Sequence, residues 1–330
     1  MISQLIPDKQ NRRWENNVDL PLVTKANQLF ATDNSDTSNA MAVAVGIPFD
    51  MGHHPARVGS RSGPDHIRTN SLLVAEAARY SGIDPVAASG LVDLGNIDVV
   101  PGLVEASYRN IERVMDDIYA TGITPVTMGG DGAVTLPQLR AAQKRFGPLA
   151  VVHFDAHTDA YPKTEPHYFN NANAFVHAAN EELIVTEKSI HVGVRDTNSG
   201  QAPGVIQNAL DLGYSVITMN DIPEMGIDGL IDKLQTTLRG QKIYLSWDMD
   251  VFDPAVAPGV VTPGWGGLTA NEGLRILRGL QGLDIVSFDI NTVSPPHDVA
   301  GQTGSLAARV ILEFLRILLV SDGKCAPVMF

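Results

Sequence analysis

Two acid-rich triplets stand at the ends of apolar runs in this chain. The run 149–154 (LAVVHF) leads into Asp155, Ala156, His157, Thr158 and Asp159, and the run 242–247 (KIYLSW) leads into Asp248, Met249 and Asp250. If extended backbone persists, residues two apart share a face, so Asp155, His157 and Asp159 form one set and Asp248 and Asp250 another. Carboxylates gathered in a partly dry cleft repel one another and resist ionisation, and a divalent cation removes that conflict. Oxygen donors joined by imidazole suit Mn2+, Fe2+, Ni2+ or Zn2+. Two such ions, about 3.5–4 Å apart, can share a hydroxide nucleophile. Other acids follow other apolar runs: Asp131 after two glycines, Asp253 before Pro254, and Asp289 after 283–288. Asp131 reads as a loop-structuring acceptor and Asp253 as a turn residue. His53, His54 and His167 fall in loop-like segments and read as solvated or substrate-loop residues. A competing possibility is a structural protein whose acidic turns hold no metal, but it requires two coincident motifs at separate strand ends.

These acids need elements to carry them. Short apolar runs rich in β-branched residues predict strands over 41–47, 90–99, 123–128, 149–154, 189–194, 214–219, 242–247 and 284–290. Helical apolar rhythm covers 64–80, 103–120, 136–146, 204–212, 229–238, 269–280 and 305–319, and Thr269 followed by Glu272 has capping-box spacing. Alternating strands and helices predict a mostly parallel sheet with helices on both faces. Strands apolar along their whole length agree with that, since both faces are covered. Ligands of such sheets bind beyond the carboxyl ends of the strands. The expected organisation is an N-terminal arm over 1–38 and a single α/β unit over 39–330.

The bulk numbers narrow the field. Hydrophobic residues make up 44% of the 330, enough for a large core, and the net charge of −13 disfavours nucleic acid and anionic membranes as partners. An uncharged apolar run of about 18 residues is absent, so no membrane span is expected. The first residues, with Lys9, Arg12, Arg13 and Glu15, lack a signal-type apolar core. The single cysteine, Cys325, cannot form an internal disulfide, which fits a reducing compartment and makes the cytoplasm the expected location.

Several segments resemble the arginase/agmatinase (ureohydrolase) family. The stretch 155–159 (DAHTD) is similar to the family's DAHxD motif. The long stretch 246–268 (SWDMDVFDPAVAPGVVTPGWGGL) matches S-x-D-x-D-x-x-D-P-x-x-A-P-G-x-x-T-P-x-x-G-G-L. Segments 45–68, 128–137 and 189–196 resemble the family's G-x-P-F-D…G-P-x-x-I-R, GGDHS-x-x-x-P and H-x-G-x-R motifs. The likeness runs from about Met41 to Leu319 and is nearer to agmatinases than to arginase itself. It implies a three-layer α/β/α sandwich with about eight strands, assembled as trimers or hexamers. The implied chemistry is attack of a metal-bound hydroxide on a guanidinium carbon, releasing urea and an amine. The resemblance also implies that Asp155 and Asp248 bridge two metals, that His157 and Asp250 complete one site, and that Asp159 serves the other. Mn2+ is the expected ion, with Ni2+ the alternative.

Three departures fall on functional positions. Gly132 stands where the family has a metal-ligand histidine, so the occupancy of that first site is open and one or two ions are expected. Asn171 occupies the proton-shuttle histidine position and cannot titrate. Thr292 replaces a glutamate that contacts the guanidinium. Thr292, His167 and Asn171 are the substrate-side candidates. Two outcomes follow: an active hydrolase of an altered, small guanidino substrate, or a weakened subunit of a hetero-oligomer, an arrangement resembling metformin hydrolase with its two homologous subunits. A homo-oligomeric pseudoenzyme is a third.

Overall fold

Period-two alternation along the apolar runs becomes the two faces of one sheet. A computed structural model describes residues 23–24, 28–32, 35–51, 54, 56–79, 83–162, 169–195 and 204–326. Its strands are β1 (Val23–Thr24), β2 (Ala42–Gly46), β3 (Val92–Ile97), β4 (Thr124–Met128), β5 (Ala150–Phe154), β6 (Ile190–Val194), β7 (Ser215–Thr218), β8 (Lys242–Asp248) and β9 (Asp284–Asn291). They pair in the order β1-β3-β2-β4-β9-β8-β5-β6-β7. Every neighbouring pair is parallel except β1 on β3. All eight expected strands are present.

The helices are α1 (Gly63–Arg79), α2 (Pro85–Ser89), α3 (Val104–Thr121), α4 (Thr135–Phe146), α5 (Ala174–Asn180), α6 (Gly204–Asp211), α7 (Ile222–Leu238), α8 (Ala270–Arg278) and α9 (Gln302–Ser321). Ala42, Ala44, Val152, Phe154, Leu245 and Trp247 face a core completed by Leu230 and Leu234 of α7, Ile276 of α8 and Ile311 and Leu315 of α9. Val43, Val45, Val151 and Tyr244 face the opposite core, completed by Ile111 and Val114 of α3, Leu139 of α4 and Phe175 of α5. The result is the three-layer α/β/α sandwich. The Thr269–Glu272 capping box forms at the start of α8. α7 begins earlier than its apolar rhythm indicates, and Gly226, at φ 69°, breaks it near the start. None of the helices among the described residues is long and apolar enough to cross a membrane.

Part of the 1–38 segment is packed rather than loose. Val23 and Thr24 pair with Ile97 and Asn96, and Leu29 and Phe30 are buried in the core. The Leu29 N–H donates to Asp93 Oδ2 at 2.7 Å and the Phe30 N–H to Ser71 Oγ at 2.7 Å. An apolar run of only three residues, Leu29 to Ala31 between Gln28 and Thr32, is too short to stand out in the sequence.

Candidate metal centre

The sheet order sets β8 and β5 side by side, with Phe154 opposite Trp247, so both strands end at adjacent points of one edge. β9 flanks β8, pairs Asn291 with Asp248, and delivers Thr292. Extended geometry does not persist beyond these points, contrary to the period-two expectation. β5 stops at Phe154, and β8 passes into a 3-10 turn over Met249–Val251. The acids converge through their own backbones instead. Asp155 Oδ1 accepts the His157 N–H at 2.6 Å, and Asp248 Oδ1 accepts the Asp250 N–H at 2.7 Å. Both are Asx-type turns, in which a carboxylate caps the N–H two residues on. Asp159 is turned back by left-handed backbone, φ 45°, which aspartate tolerates better than most residues.

The resulting cluster is dry: Asp155, Asp159, Asp248 and Asp250 are all buried. His157 Nδ1 lies 3.0 Å from Asp155 Oδ1 and 3.2 Å from Asp250 Oδ2. The Ala156 N–H donates to Asp250 Oδ1 at 3.0 Å, tying the two loops together. A second grouping shares Asp155 but uses its other oxygen: His153 Nε2 lies 3.0 Å from Asp155 Oδ2, and Asp159 completes the set. Within each grouping, His153–Asp155–Asp159 and Asp155–His157–Asp250, the donor atoms lie within 4.8 Å of one another.

Crowding shows in the proton affinities. Burial, reinforced by Asp250, pushes Asp155 up to about 8. Burial and then Asp155 hold Asp159 well above the carboxylate range, and burial with Asp250 and Asp155 does the same to Asp248. Burial opposes charge on His157, but Asp250 and Asp155 outweigh it and hold the imidazole well above its ordinary value. Burial would raise Asp250, yet His157 draws it below the ordinary value. Burial lowers His153 to about 4, leaving that imidazole neutral at pH 7. Mutually frustrated buried acids with interleaved imidazoles are a donor set that a divalent cation satisfies, so the residues present fit such an ion.

The remaining expected site residues divide. A Cβ on Gly132 would meet Asp159 Oδ2 at 2.9 Å, so this position does face the second grouping but offers no donor. Asn171 lies beside Gly132, and its buried Oδ1 has no hydrogen-bond partner among the described residues. Thr292, at φ 65°, turns its hydroxyl onto Asp248 Oδ1 rather than into open space. With the Asp250 N–H on the same oxygen, this leaves Asp248 Oδ2 for a ligand. His167 and His53 lie outside the described residues; His54 caps the Arg57 N–H at 2.8 Å. Asp131 structures its loop by accepting from Met51 and Ala133, and Asp253 accepts from Ala255, Gly266 and Gly267.

Asp289 does not join the acids at the edge. It sits within β9, caged by Thr135, Tyr244, Ser246 and Asn291. Trp247 and Met249 are core residues, whereas Trp265 is 78% exposed. Sequence reasoning passed over His153, although the same period-two count that linked 155, 157 and 159 reaches it one step earlier. It also passed over Arg195, whose guanidinium donates to the carbonyls of Gly193, Asp250, Val251, Phe252 and Gly264.

The chain is similar to known proteins over most of its length. Residues 40–316 match the sequence profile of the Arginase family. A guanidinobutyrase of Pseudomonas aeruginosa is 33% identical over 299 residues, covering 91% of this chain and 90% of its own. An agmatinase of Photorhabdus laumondii is 36% identical over 281 residues, 84% of this chain and 87% of its own. The solved proclavaminate amidino hydrolase of Streptomyces clavuligerus superposes with a TM-score of 0.83 at 30% identity, covering 92% of this chain and 100% of its own. With the family profile spanning residues 40–316 and these relatives aligned over most of its length, the chain belongs to the arginase family.

Proposed function

We propose that this chain is a metal-dependent amidinohydrolase that cleaves a C–N bond of a small guanidino compound, releasing urea and an amine. The observation that carries the reading is the division of Asp155. One buried carboxylate directs Oδ1 to His157 and Oδ2 to His153, and so serves two donor sets at once. Relatives named guanidinobutyrase and agmatinase support the substrate class.

Asp155, His157, Asp248 and Asp250 would hold one divalent cation, Mn2+ or Ni2+, with Asp159 serving a second. Bound ions of this kind supply Lewis acidity and bring the pKa of water down toward 7. The chain's own residues do the rest. The acids at the strand ends would favour a cationic guanidinium, and Trp247 and Met249 back the strand end as buried core. Thr292 offers a hydroxyl already committed to Asp248, not a carboxylate, which suits an alkylated or less basic guanidine. Asn171 accepts and donates hydrogen bonds without exchanging protons, so His167 is the candidate in that loop to move a proton to the departing amine.

The test is urea release from a panel of guanidino compounds by the purified chain loaded with Mn2+ or Ni2+. Urea production supports the reading, and its absence across the panel refutes autonomous activity. Gly132, Asn171 and Thr292 together favour a second reading, a weakened subunit that acts with a homologous partner. Restoration of urea release on adding such a chain distinguishes it. The expected assembly is in either case oligomeric, a trimer or hexamer of this chain or a hetero-oligomer, and the expected location is the cytoplasm.

A further inference from the structure

We propose that His153 supplies the imidazole missing at position 132, so that the second cation of this centre is held by His153, Asp155 and Asp159. The inference rests on the metal-dependent reading above. It adds a ligand from the strand itself, where the missing histidine would have come from the loop that brings Gly132 against Asp159.

The geometry of the ring carries it. His153 lies on β5, two residues before Asp155, and is 1% exposed. Its Nε2 is 3.0 Å from Asp155 Oδ2. Adjacent ligands on one octahedral ion stand roughly 3.0 Å apart when metal–donor bonds are about 2.1 Å, so the spacing is that of two donors on a common ion. The Asp155–His157 pair, at 3.0 Å on the other oxygen, has the same spacing.

The ring is also held in place. Phe175 packs on it with centroids 4.4 Å apart, and His191, its partner in the β5–β6 register, meets His153 Nδ1 with its own Nδ1 at 3.0 Å. Two facing ring nitrogens at that distance need one proton between them. When His153 Nδ1 donates it, Nε2 presents a lone pair to Asp155 and Asp159, which is the ligating tautomer. When His191 donates, His153 Nε2–H bonds to Asp155 Oδ2 and fills the cation's place. Metal-bound histidines are usually oriented by such an outer hydrogen bond. In the ligating state the His191 proton sits on Nε2, which is buried without a partner among the described residues, so the bond to His153 is the one hydrogen bond that orients this ring.

The experiment is a Mn2+ titration of the metal-free full chain with pulsed EPR detection of nitrogen coupled to the ion. Wild type is expected to bind two ions per chain and to show two coordinated imidazoles. His153→Phe is expected to bind one ion, or to hold the second at least about 100-fold more weakly. His157→Asn, which leaves β5 intact, is expected to retain one imidazole coupling, that of His153. Two ions of unchanged affinity in His153→Phe, or no nitrogen coupling in His157→Asn, overturns the assignment. Should His153→Phe fail to fold by circular dichroism, the His157→Asn spectrum decides alone. A wild type that binds one ion through a single imidazole overturns this inference while leaving the metal-dependent reading standing. A wild type that binds none overturns both.

Discussion

Replacing Arg195 with methionine should loosen the loop that carries Asp250. Arg195 follows β6 and donates hydrogen bonds through all three guanidinium nitrogens: Nε to Gly264, Nη1 to Gly193 and Val251, and Nη2 to Asp250, Phe252 and Gly264, at 2.5–3.2 Å. Three of these carbonyls are consecutive and lie in the buried turn after β8. Methionine keeps the apolar stem and removes every donor. A hydrogen bond from a charged donor contributes about 1.5–3 kcal/mol net. Arg195 is half-buried, so water can rehydrate the outer carbonyls, and the three inner ones dominate. We therefore expect a loss of about 3–5 kcal/mol, roughly two such hydrogen bonds once rehydration is allowed for. Arg195→Lys, with three donors on a point-like ammonium, should recover about half. Urea unfolding followed through the fluorescence of buried Trp247 reads the effect. With a slope of about 2–3 kcal/mol per molar, the midpoint should fall by about 1–2 M at unchanged slope. A shift under about 0.3 M in Arg195→Met would refute the claim that this side chain clamps the loop.

Three further outcomes are expected. Gly132→His places an imidazole against Asp159, where the Cβ would lie 2.9 Å from Oδ2, and should tighten Mn2+ binding at least about ten-fold by calorimetry; an unchanged isotherm counts against that position as a lost ligand. If binding improves and urea release does not, Asn171 and Thr292 limit turnover. Thr292→Val removes a hydroxyl donor from the buried Asp248 and should destabilise the metal-free chain by about 1–2 kcal/mol in urea unfolding; an unmoved midpoint contradicts this. Asp298 gives a pH signature away from the centre. Burial would raise it, but His66 and the N–H groups of Thr303 and Gly304 outweigh that and hold it at about 2 against an ordinary 3.8. Because the folded value is depressed, its contribution is fully present above about pH 4 and disappears as the pH falls toward 2. Asp298→Asn should cost about 2 kcal/mol at pH 7 and flatten that part of the acid limb; parallel stability–pH curves for the two proteins would refute it.

The strands were legible because both faces of a parallel sheet are buried, so each is a run of apolar residues between polar turns. α5 was not, since seven residues make barely two turns and its buried residues run consecutively from Ala174 to Ala178 without a helical period. α2 is held by local chemistry, the Asp84 cap and Pro85 at its first position, rather than by periodicity. Asp155, His157, Asp159, Asp248 and Asp250 could be named from spacing, but how they converge could not. That is decided by Asx turns and a left-handed Asp159, which one-dimensional periodicity does not encode. Asp289 misled because an acid after an apolar run looks the same whether the strand has ended or continues. Only the tertiary cage of Thr135, Tyr244 and Ser246 tells the cases apart. His153 lies inside a run whose hydrophobicity masks it.

The short N-terminal pairing reaches beyond the two residues involved. β3 is the last parallel strand on its side, and without β1 its outer row of amide and carbonyl groups would face water as a template for another chain. Val23 and Thr24 cover part of that row in the antiparallel sense. Leu29 pins the cover down at Asp93, the same carboxylate that clamps the buried Arg68 of α1 to the sheet, and Phe30 pins it at Ser71 of α1. Cutting the chain at residue 38, where composition alone suggests a seam, would therefore strip the guard from an otherwise sticky margin and loosen the helix beside it.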